Sequence, residues 1–283
     1  MNYINLILKG LHIYITNIMS EIRISTITKV GKLSENFDLQ DLFTKFEVDD
    51  KVTYIEYGDL KPKGKNNKKK KAKKQTGNRK NYFYNQLSIL VQCEKIVNVK
   101  IFNNGSIQMT GIKTDRMAHE VVDILLTKIS DICNITVRVI NLRTVLINSD
   151  FDYGYSINNN NLQELLDSGK YYSTYEPCSY PGVNIKYYYN ENFKNNFGIC
   201  QCLDMCDGKG NDGCCKRVTI AVFKSGKIII TGGRAIEHIY VAKDFIKDFI
   251  YRNKENILLD YLDYVIKIQR NYRNYIKYRK KKL

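Results

Sequence analysis

One twelve-residue stretch occurs twice in this chain, as FNNGSIQMTGIK at Phe102–Lys113 and as FKSGKIIITGGR at Phe223–Arg234. Both copies fit the template F-x-x-G-x-I-x-x-T-G, and they lie 121 positions apart. An alternating strand precedes each copy, and a segment with helical periodicity follows it. Because such a repeat indicates one structural unit used twice, the sequence predicts two pseudo-symmetric halves.

Side-chain parity places the two phenylalanines of the template on the polar face of a sheet. Successive side chains of a strand point to opposite faces, so Phe102 shares a face with Asn98 and Lys100, and Phe223 shares one with Thr219. The opposite face is apolar and would hold Val97, Val99, Ile101, Ile107 and Met109 in the first copy and Val218, Ile220, Val222, Ile228 and Ile230 in the second. We therefore expect two phenylalanine rings on an open face.

The segments after each Thr-Gly are predicted to be helices that cover the apolar face. Their apolar residues recur at helical spacing, at Met117, Val121, Leu125 and Ile129 in the first copy and at Ile239, Ala242, Ile246 and Phe249 in the second. The predicted fold class is α+β, with two pseudo-symmetric repeats that form one antiparallel sheet with helices on one side.

Changes in composition divide the chain into four parts. We predict an N-terminal extension at 1–20, a first repeat at 21–130 with a basic insertion at 61–80, a second repeat at 131–251 with a Cys-rich insertion at 190–215, and a basic C-terminal helical tail at 252–283. The second repeat is expected to open with a strand at Thr136–Leu142, followed by a polar, Asn-rich connection.

The formal net charge of +16 is concentrated in two segments. Residues 61–80 hold 11 Lys and Arg and no acidic residue, and residues 251–283 hold 10 against three acidic residues, so the rest of the chain is close to −2. Any electrostatic attraction to nucleic acid phosphates must therefore come from a few placed side chains and from the basic appendages.

Five of the eight cysteines cluster within the second insertion, at Cys200, Cys202, Cys206, Cys214 and Cys215. Four of them could bind a structural zinc ion, although their spacing differs from the common C-x2-C pairs. Free or redox-reactive thiols are the alternative. No run of 18 or more apolar residues occurs, so we expect no transmembrane helix, and the first residues lack a secretory signal pattern, which favours a reducing compartment.

Two further motifs complete a pattern that resembles the TATA-box-binding protein family. Tyr175–Gly182 reads YEPCSYPG and contains two of the three prolines, and a strand containing STIT leads into Gly31–Leu33. With the two hairpins, the resemblance covers residues 22–250 apart from the insertions. With its divergence and large insertions, the chain is similar to family members from giant DNA viruses. The resemblance implies a saddle-shaped fold whose concave sheet lies in a widened DNA minor groove, with helices on the convex side and aromatic side chains between base steps.

The resemblance also implies roles for individual residues. The positions that insert between base steps match Phe102, Phe223, Tyr180 and, after a small shift from Asn85, Tyr84. Positions on the floor of the groove match Gln108, Thr110, Asn141, Ile229 and Thr231, and basic positions near the DNA backbone match Lys113, Lys186, Lys227 and Arg234. Glu176 matches a glutamate that docks transcription factor IIB.

The function implied is that of a transcription initiation factor without enzymatic activity or a required cofactor. Its partners would be double-stranded AT-rich promoter DNA, a factor-IIB-like protein and RNA polymerase, with no membrane, in the nucleus or in a cytoplasmic viral replication compartment. Departures from the family pattern at Ile22, Ser106, Gln108 and Arg143 put strict TATA specificity in doubt. Gln108 and Arg143 also leave open an interaction protein that has lost DNA binding. A less favoured alternative is a subdomain of a nucleic-acid enzyme, since the implied saddle fold also occurs beside DNA glycosylase and ribonuclease modules.

Overall fold

The structure is a computed structural model of the 283-residue chain that describes residues 21–66, 83–192, 198–203, 206–211 and 213–260, together with residues 266, 270 and 273. The predicted N-terminal extension, most of the basic insertion and most of the C-terminal tail lie outside these residues. The chain divides into two compact units, one of Ser25–Ile147 and the other of Asn148 onward with the residues up to Ile24. We call them the first unit and the second unit.

The first unit contains an antiparallel sheet with two helices. Its strands are β1 (Arg23–Leu33), β2 (Val52–Tyr57), β3 (Lys63–Gly64), β4 (Gln86–Gln92), β5 (Ile96–Phe102) and β6 (Ser106–Ile112), in the hydrogen-bonded order β3-β2-β4-β5-β6-β1. Its helices are α1 (Leu39–Lys45) and α2 (Asp115–Cys133). Thr114 caps α2 by accepting a hydrogen bond from the backbone N–H of Met117, which explains why the helix begins directly after the repeated stretch.

The second unit repeats this arrangement. Strand β7 (Val139–Asp152) crosses the boundary between the units and is followed by β8 (Tyr172–Thr174), β9 (Gly182–Tyr189), β10 (Lys216–Phe223) and β11 (Lys227–Gly233). The last four are ordered β11-β10-β9-β8 and pair antiparallel. The helices are α3 (Asn159–Ser168), α4 (Ile236–Arg252) and the short α5 (Lys254–Ile257).

The two template hairpins have the same register. In the first unit Asn98 faces Thr110 and Ile101 faces Ile107, and 121 positions later Thr219 faces Thr231 and Val222 faces Ile228. The two turns also agree, because the glycine N–H donates to the phenylalanine carbonyl at 2.9 Å in both. The repeated sequence therefore gives the same hairpin twice.

The turn glycines are required by backbone conformation and by space. Gly105 and Gly226 have φ values of 75° and 85°, which side chains with a Cβ rarely adopt. A Cβ on Gly105 would lie 2.7 Å from the Glu35 carbonyl oxygen, and one on Gly226 would lie 2.3 Å from that of Tyr155. Glycine at the fourth template position is thus dictated by the turn and by the segment packed over it.

Burial confirms the predicted parity of the strands. The residues predicted for the apolar face of both hairpins are at most 3% exposed, whereas Phe102 and Phe223 are half-buried on the opposite face. The predicted helical core positions Met117, Val121, Leu125 and Ile129 are also buried, as are Ile239, Ala242 and Ile246, and Phe249 is partly buried. We call the face that carries the phenylalanines the open face of each unit.

The strand predicted at Thr136–Leu142 is present, but its predicted bounds and the connection predicted after it were wrong. Strand β7 begins at Val139 rather than Thr136 and runs to Asp152, so the expected Asn-rich connection after Leu142 is largely strand. Ile147, Ser149 and Phe151 are buried and alternate with half-buried Asn148 and Asp150. Because one face of this strand is polar and the buried face includes a serine, its period of two was hidden by composition.

No helix in the described part of the chain is long and apolar enough to cross a membrane.

Candidate nucleic-acid interface

Two aromatic rings lie together at one corner of the open face of the second unit. Phe223 ends β10 and pairs with Gly182, the first residue of β9, and Tyr180 precedes that glycine by two positions. The two ring centroids are 5.7 Å apart with an interplanar angle of 59°, and Tyr180 is 37% exposed. Gly182 makes the contact possible, since a Cβ there would meet both rings at 3.1–3.2 Å. The corner therefore presents a pair of partly exposed rings.

The first unit has the corresponding strand register with a different ring arrangement. Phe102 ends β5 and pairs with Gln86, and Tyr84 precedes that residue by two positions, as Tyr180 precedes Gly182. The register thus puts Tyr84, rather than Asn85, at the position equivalent to Tyr180. The Tyr84 ring is 56% exposed and packs edge-on against Tyr57, with centroids 6.3 Å apart.

The open face of the first unit contains a hollow of about 630 Å³ beside Phe102. Its polar lining consists of Lys32, Ser106, Gln108, Asn141 and Arg143. Three of the predicted departures from the family pattern therefore lie together. Ser106 stands where the second copy has Lys227, but Lys32 of β1 pairs with Ser106, so a neighbouring strand supplies the cationic side chain.

Asn141 has an unusual backbone conformation. Its φ is 54°, it is exposed, and it lies inside β7 rather than at a strand end. Asparagine adopts this left-handed region more readily than most residues with a side chain. Its position beside the hollow is compatible with a contact to a ligand on the open face.

Each hairpin carries one threonine at the same template position, Thr110 in the first unit and Thr231 in the second. Thr110 is exposed and pairs with Thr28 of β1, whereas Thr231 is half-buried and its hydroxyl hydrogen-bonds to the Asn148 side chain. Ile229, two positions before Thr231, is 38% exposed. An isoleucine left uncovered beside threonines forms a surface of apolar and weakly polar groups, which suits a minor-groove floor.

Basic side chains lie on and around this surface. Lys186 of β9 donates to the Thr219 hydroxyl at 3.1 Å, and burial together with nearby Arg217 lowers the pKa of Lys186. Lys227 is exposed beside the turn. Lys113 donates to the Ser25 carbonyl oxygen, so its amine faces β1.

Arg234, the fourth predicted basic contact, lies near a second hollow that includes His238 and Lys216. Its guanidinium reaches the Asn211 side-chain oxygen at 3.5 Å, and its backbone N–H donates to His238 Nδ1 at 3.2 Å. Burial is the main cause that lowers the pKa of His238, and Lys216 adds to it. The imidazole is therefore held in its neutral form at neutral pH.

Sequence reasoning did not single out Lys32 and Arg217, although both lie on the open face. Arg217 is exposed and stands two positions before Thr219 on β10, and Lys32 stands two positions after Val30 on β1. The alternation of side chains that placed Phe102 and Phe223 on this face also places these two residues there, because each lies two positions from an open-face residue.

The Tyr175–Gly182 segment forms a turn with an exposed acidic side chain. The N–H groups of Ser179 and Tyr180 donate to the Glu176 carbonyl oxygen at 2.9 and 2.8 Å, and Asn159 donates to the Pro181 carbonyl oxygen at 3.3 Å. The Glu176 side chain is exposed. A carboxylate on an ordered projecting turn is available to a protein partner.

Four of the five clustered cysteines converge in the second unit. The sulfur atoms of Cys200, Cys202, Cys206 and Cys215 lie within 4.8 Å of one another, and Cys214 is outside this group. The cysteines are free thiols rather than disulfides. The cluster could hold a metal ion.

Comparisons with known proteins agree with this architecture. Residues 147–252 match the family model described as transcription factor TFIID, or TATA-binding protein. A protein described as TATA-box-binding protein-like, from Acanthamoeba polyphaga mimivirus, is 29% identical over 275 residues, which is 83% of this chain and 66% of that protein. The chain thus spans slightly less than two thirds of that relative.

A solved structure shows the same fold. The TBP of Methanococcus jannaschii superimposes with a TM-score of 0.51 at 18% identity, covering 82% of this chain and 99% of that one. The predicted α+β fold class is therefore confirmed.

The fold is that of the TATA-box-binding proteins. More particularly, the second unit matches the TATA-binding protein family model, and the chain as a whole is similar to a TATA-box-binding protein-like protein of a giant virus. The resemblance deduced from the repeated hairpins is confirmed.

Proposed function

We propose that this protein binds AT-rich promoter DNA through the minor groove, bends it, and presents the bent duplex to a factor-IIB-like protein and RNA polymerase. The observation that carries the proposal is the Tyr180–Phe223 ring pair, which stands at the strand ends on the open face with Tyr84 and Phe102 at the equivalent positions of the first unit. Inserting side chains at two base steps costs a few kcal/mol per step, which the added contact of a bent duplex offsets.

The groups between the aromatic positions favour the minor groove over the major groove. The open face carries Thr110, Thr231, Ile229 and Gln108. A·T pairs present only acceptors on the minor-groove floor, so hydroxyls and one amide suffice to favour them over G·C pairs, whose guanine amine projects into the groove. We expect AT-rich DNA to be preferred, with a looser sequence requirement where Gln108 and Arg143 border the first-unit hollow.

The exposed Glu176 supports the proposed contact with a factor-IIB-like protein. Its turn is held by backbone hydrogen bonds that do not involve its side chain. We expect Glu176→Arg to leave the affinity for DNA unchanged and to remove assembly with the factor on DNA. Glu164→Arg, on the exposed surface of α3, is the matched control and should retain assembly. Loss of assembly in both variants, or in neither, would contradict this role.

The DNA-binding proposal is tested by anisotropy and end-to-end energy transfer on matched AT-rich and GC-rich duplexes. Preferential binding and a shortened end-to-end distance on the AT-rich duplex are expected from the wild-type chain. Phe102→Ala combined with Phe223→Ala should abolish the shortening and leave weak, salt-sensitive binding. Tyr240→Ala, which removes a 46% exposed ring from α4, is the matched control and should still bend the duplex.

The same assay separates the alternative functions. An interaction protein that has lost DNA binding would show no preference between the duplexes and no bending. A nucleic-acid enzyme would cleave or modify the duplex when divalent metal is added, and we expect the DNA to remain intact. Either outcome would overturn the proposed function.

A further inference from the structure

We propose that Cys200, Cys202, Cys206 and Cys215 bind a structural Zn²⁺ ion that holds the Cys-rich insertion on the start of β10. The distances between their sulfur atoms carry this proposal. The sulfur of Cys215 lies 3.6 Å from that of Cys202 and 3.9 Å from that of Cys200. Tetrahedral zinc with Zn–S bonds of about 2.3 Å separates its sulfur ligands by about 3.8 Å, whereas a disulfide would bring two of them to about 2 Å.

The surroundings of Cys215 are those of a metal-bound thiolate. Asn190 is 6% exposed, and its side-chain N–H₂ lies 3.8 Å from the Cys215 sulfur and donates to the Gly213 carbonyl oxygen at 2.8 Å. A buried amide donating to sulfur stabilises the thiolate form that binds metal and orients it, as second-shell groups do in metal sites. Asn190 directly follows β9 and Cys215 directly precedes β10, so the pairing of Tyr189 with Lys216 brings the two side chains together.

The four ligands come from two segments that the metal would join. Three lie on the segment from Cys200 to Cys206, and the fourth, Cys215, directly precedes β10. Between them, Gly210 donates to the Cys215 carbonyl oxygen at 3.0 Å and Arg217 donates to the Gly208 carbonyl oxygen at 2.8 Å. This short insertion contains few apolar side chains, so a metal ion would replace the core that it lacks.

The donor set identifies the metal and its role. Four thiolates suit Zn²⁺ in a tetrahedral geometry and suit Mg²⁺ or Ca²⁺ poorly, since these prefer oxygen ligands. All four coordination positions would be filled by the protein, which leaves none for a substrate. The site is therefore structural rather than catalytic.

The position of the site links it to the open face. Cys215 precedes Arg217 by two residues, and a Cβ on Gly208 would lie 2.6 Å from the Arg217 Cβ, so the insertion packs directly on the strand that presents Arg217. The bound ion would fix the start of β10 and thereby the path of this strand. This consequence rests on the proposed function, but zinc binding itself does not.

The test is the metal content of the full-length chain, purified under reducing conditions. We expect about one zinc ion per chain, and the cobalt-substituted chain should show the ligand-field absorption of a tetrahedral four-thiolate site. Cys202→Ser and Cys206→Ser should lose the ion. Cys214→Ser, which removes the neighbouring thiol outside the group, is the matched control and should retain it.

Titration of the wild-type chain with a mercurial reagent gives a readout that does not depend on how the variants fold. Zinc should be released as the four ligand thiols react with the reagent. Circular dichroism should show that the zinc-free chain retains its β-sheet. The proposal is overturned if the reduced chain holds no zinc, or if Cys214→Ser loses the ion while Cys206→Ser keeps it. DNA bending that persists without zinc would refute only the link to the open face.

Discussion

Gly182 lies directly opposite Phe223 in the β9–β10 ladder, and its missing side chain leaves room for the Phe223 ring to meet that of Tyr180 at 5.7 Å. The phenylalanine comes from the repeated template, whereas the glycine and the tyrosine come from the proline-containing turn. Two separate motifs of the sequence thus build one structural feature. This feature can be disturbed without removing an aromatic ring.

Gly182→Val is expected to impair bending while the protein stays folded. Valine is well tolerated in a strand, but its Cβ would lie 3.1–3.2 Å from atoms of both rings, so the rings must move. Because the energy of insertion depends on ring position, the affinity for AT-rich DNA should fall by roughly tenfold or more, about 1.4 kcal/mol. Energy transfer across the duplex measures the bend, and Tyr180→Phe, which keeps the ring, should bend normally. A normal bend in Gly182→Val would show that the ring pair does not insert.

Arg217→Gln is expected to reduce the salt dependence of DNA binding. Each phosphate contact contributes about 0.9 to the slope of log K against log salt concentration, so the slope should become shallower by about that amount. The control is Lys45→Ala, which removes an exposed charge paired with Asp41 on α1. Titrations at several salt concentrations give the slope. Equal slopes for Arg217→Gln and the wild-type chain would place Arg217 outside the interface.

The parity of the hairpins, the helices that follow them and the fold class could all be predicted from the sequence, because each rests on a local repeating pattern. The extent of strand β7 beyond Leu142 could not, since Ser149 is buried in a strand whose other face is polar. There its hydroxyl donates to the Ile230 carbonyl oxygen at 3.1 Å, a partner 81 residues away in sequence. Only tertiary structure supplies that partner.

Some residues of the candidate site could likewise be predicted from the sequence, and others could not. Phe102 and Phe223 followed from strand parity, and Tyr180 followed from the resemblance to a family. Tyr84 was reached from the resemblance only by a small shift from Asn85, and the register of β4 against β5 supports that shift. Which four of the five cysteines converge, and that Lys32 lies beside Ser106, depend on how distant segments pack, and spacing along the chain does not contain that information.

His238 is expected to make the second unit less stable in mild acid. Its pKa is lowered in the folded state by burial and by Lys216 and Arg234, against an opposing effect of Glu237 and Glu191. Below the unfolded-state pKa of about 6.5 the unfolded chain binds the proton more readily, so stability falls as pH falls through this value and levels off below the folded-state pKa. His238→Asn, which can still accept from the Arg234 N–H, should show a smaller loss. Denaturant unfolding between about pH 7.5 and pH 5 tests this, and parallel pH profiles for the two proteins would refute it.

Removing Asp115 from its ion pair with Lys29 is expected to destabilise the first unit more than removing Lys29. The Lys29 side chain is 11% exposed, and its amine lies 2.7 Å from the carboxylate of Asp115 at the start of α2. The Asp115 side chain is 78% exposed, so solvent screens the pair and Asp115→Ala should cost about 1 kcal/mol by leaving Lys29 without this partner. Lys29→Met removes the mostly buried charge and should cost less. Denaturant unfolding of the two variants gives the comparison. A larger loss from Lys29→Met than from Asp115→Ala would contradict this account.

The proposed insertion of aromatic rings from each unit is tested most directly by 2-aminopurine placed at each of two base steps in an AT-rich duplex. We predict that the wild-type chain raises the fluorescence of both reporters as the bases unstack, that Phe102→Ala abolishes the rise at one step only, and that Phe223→Ala abolishes it at the other. A wild-type complex in which neither reporter brightens, or a double variant that still unstacks both steps, would contradict the account.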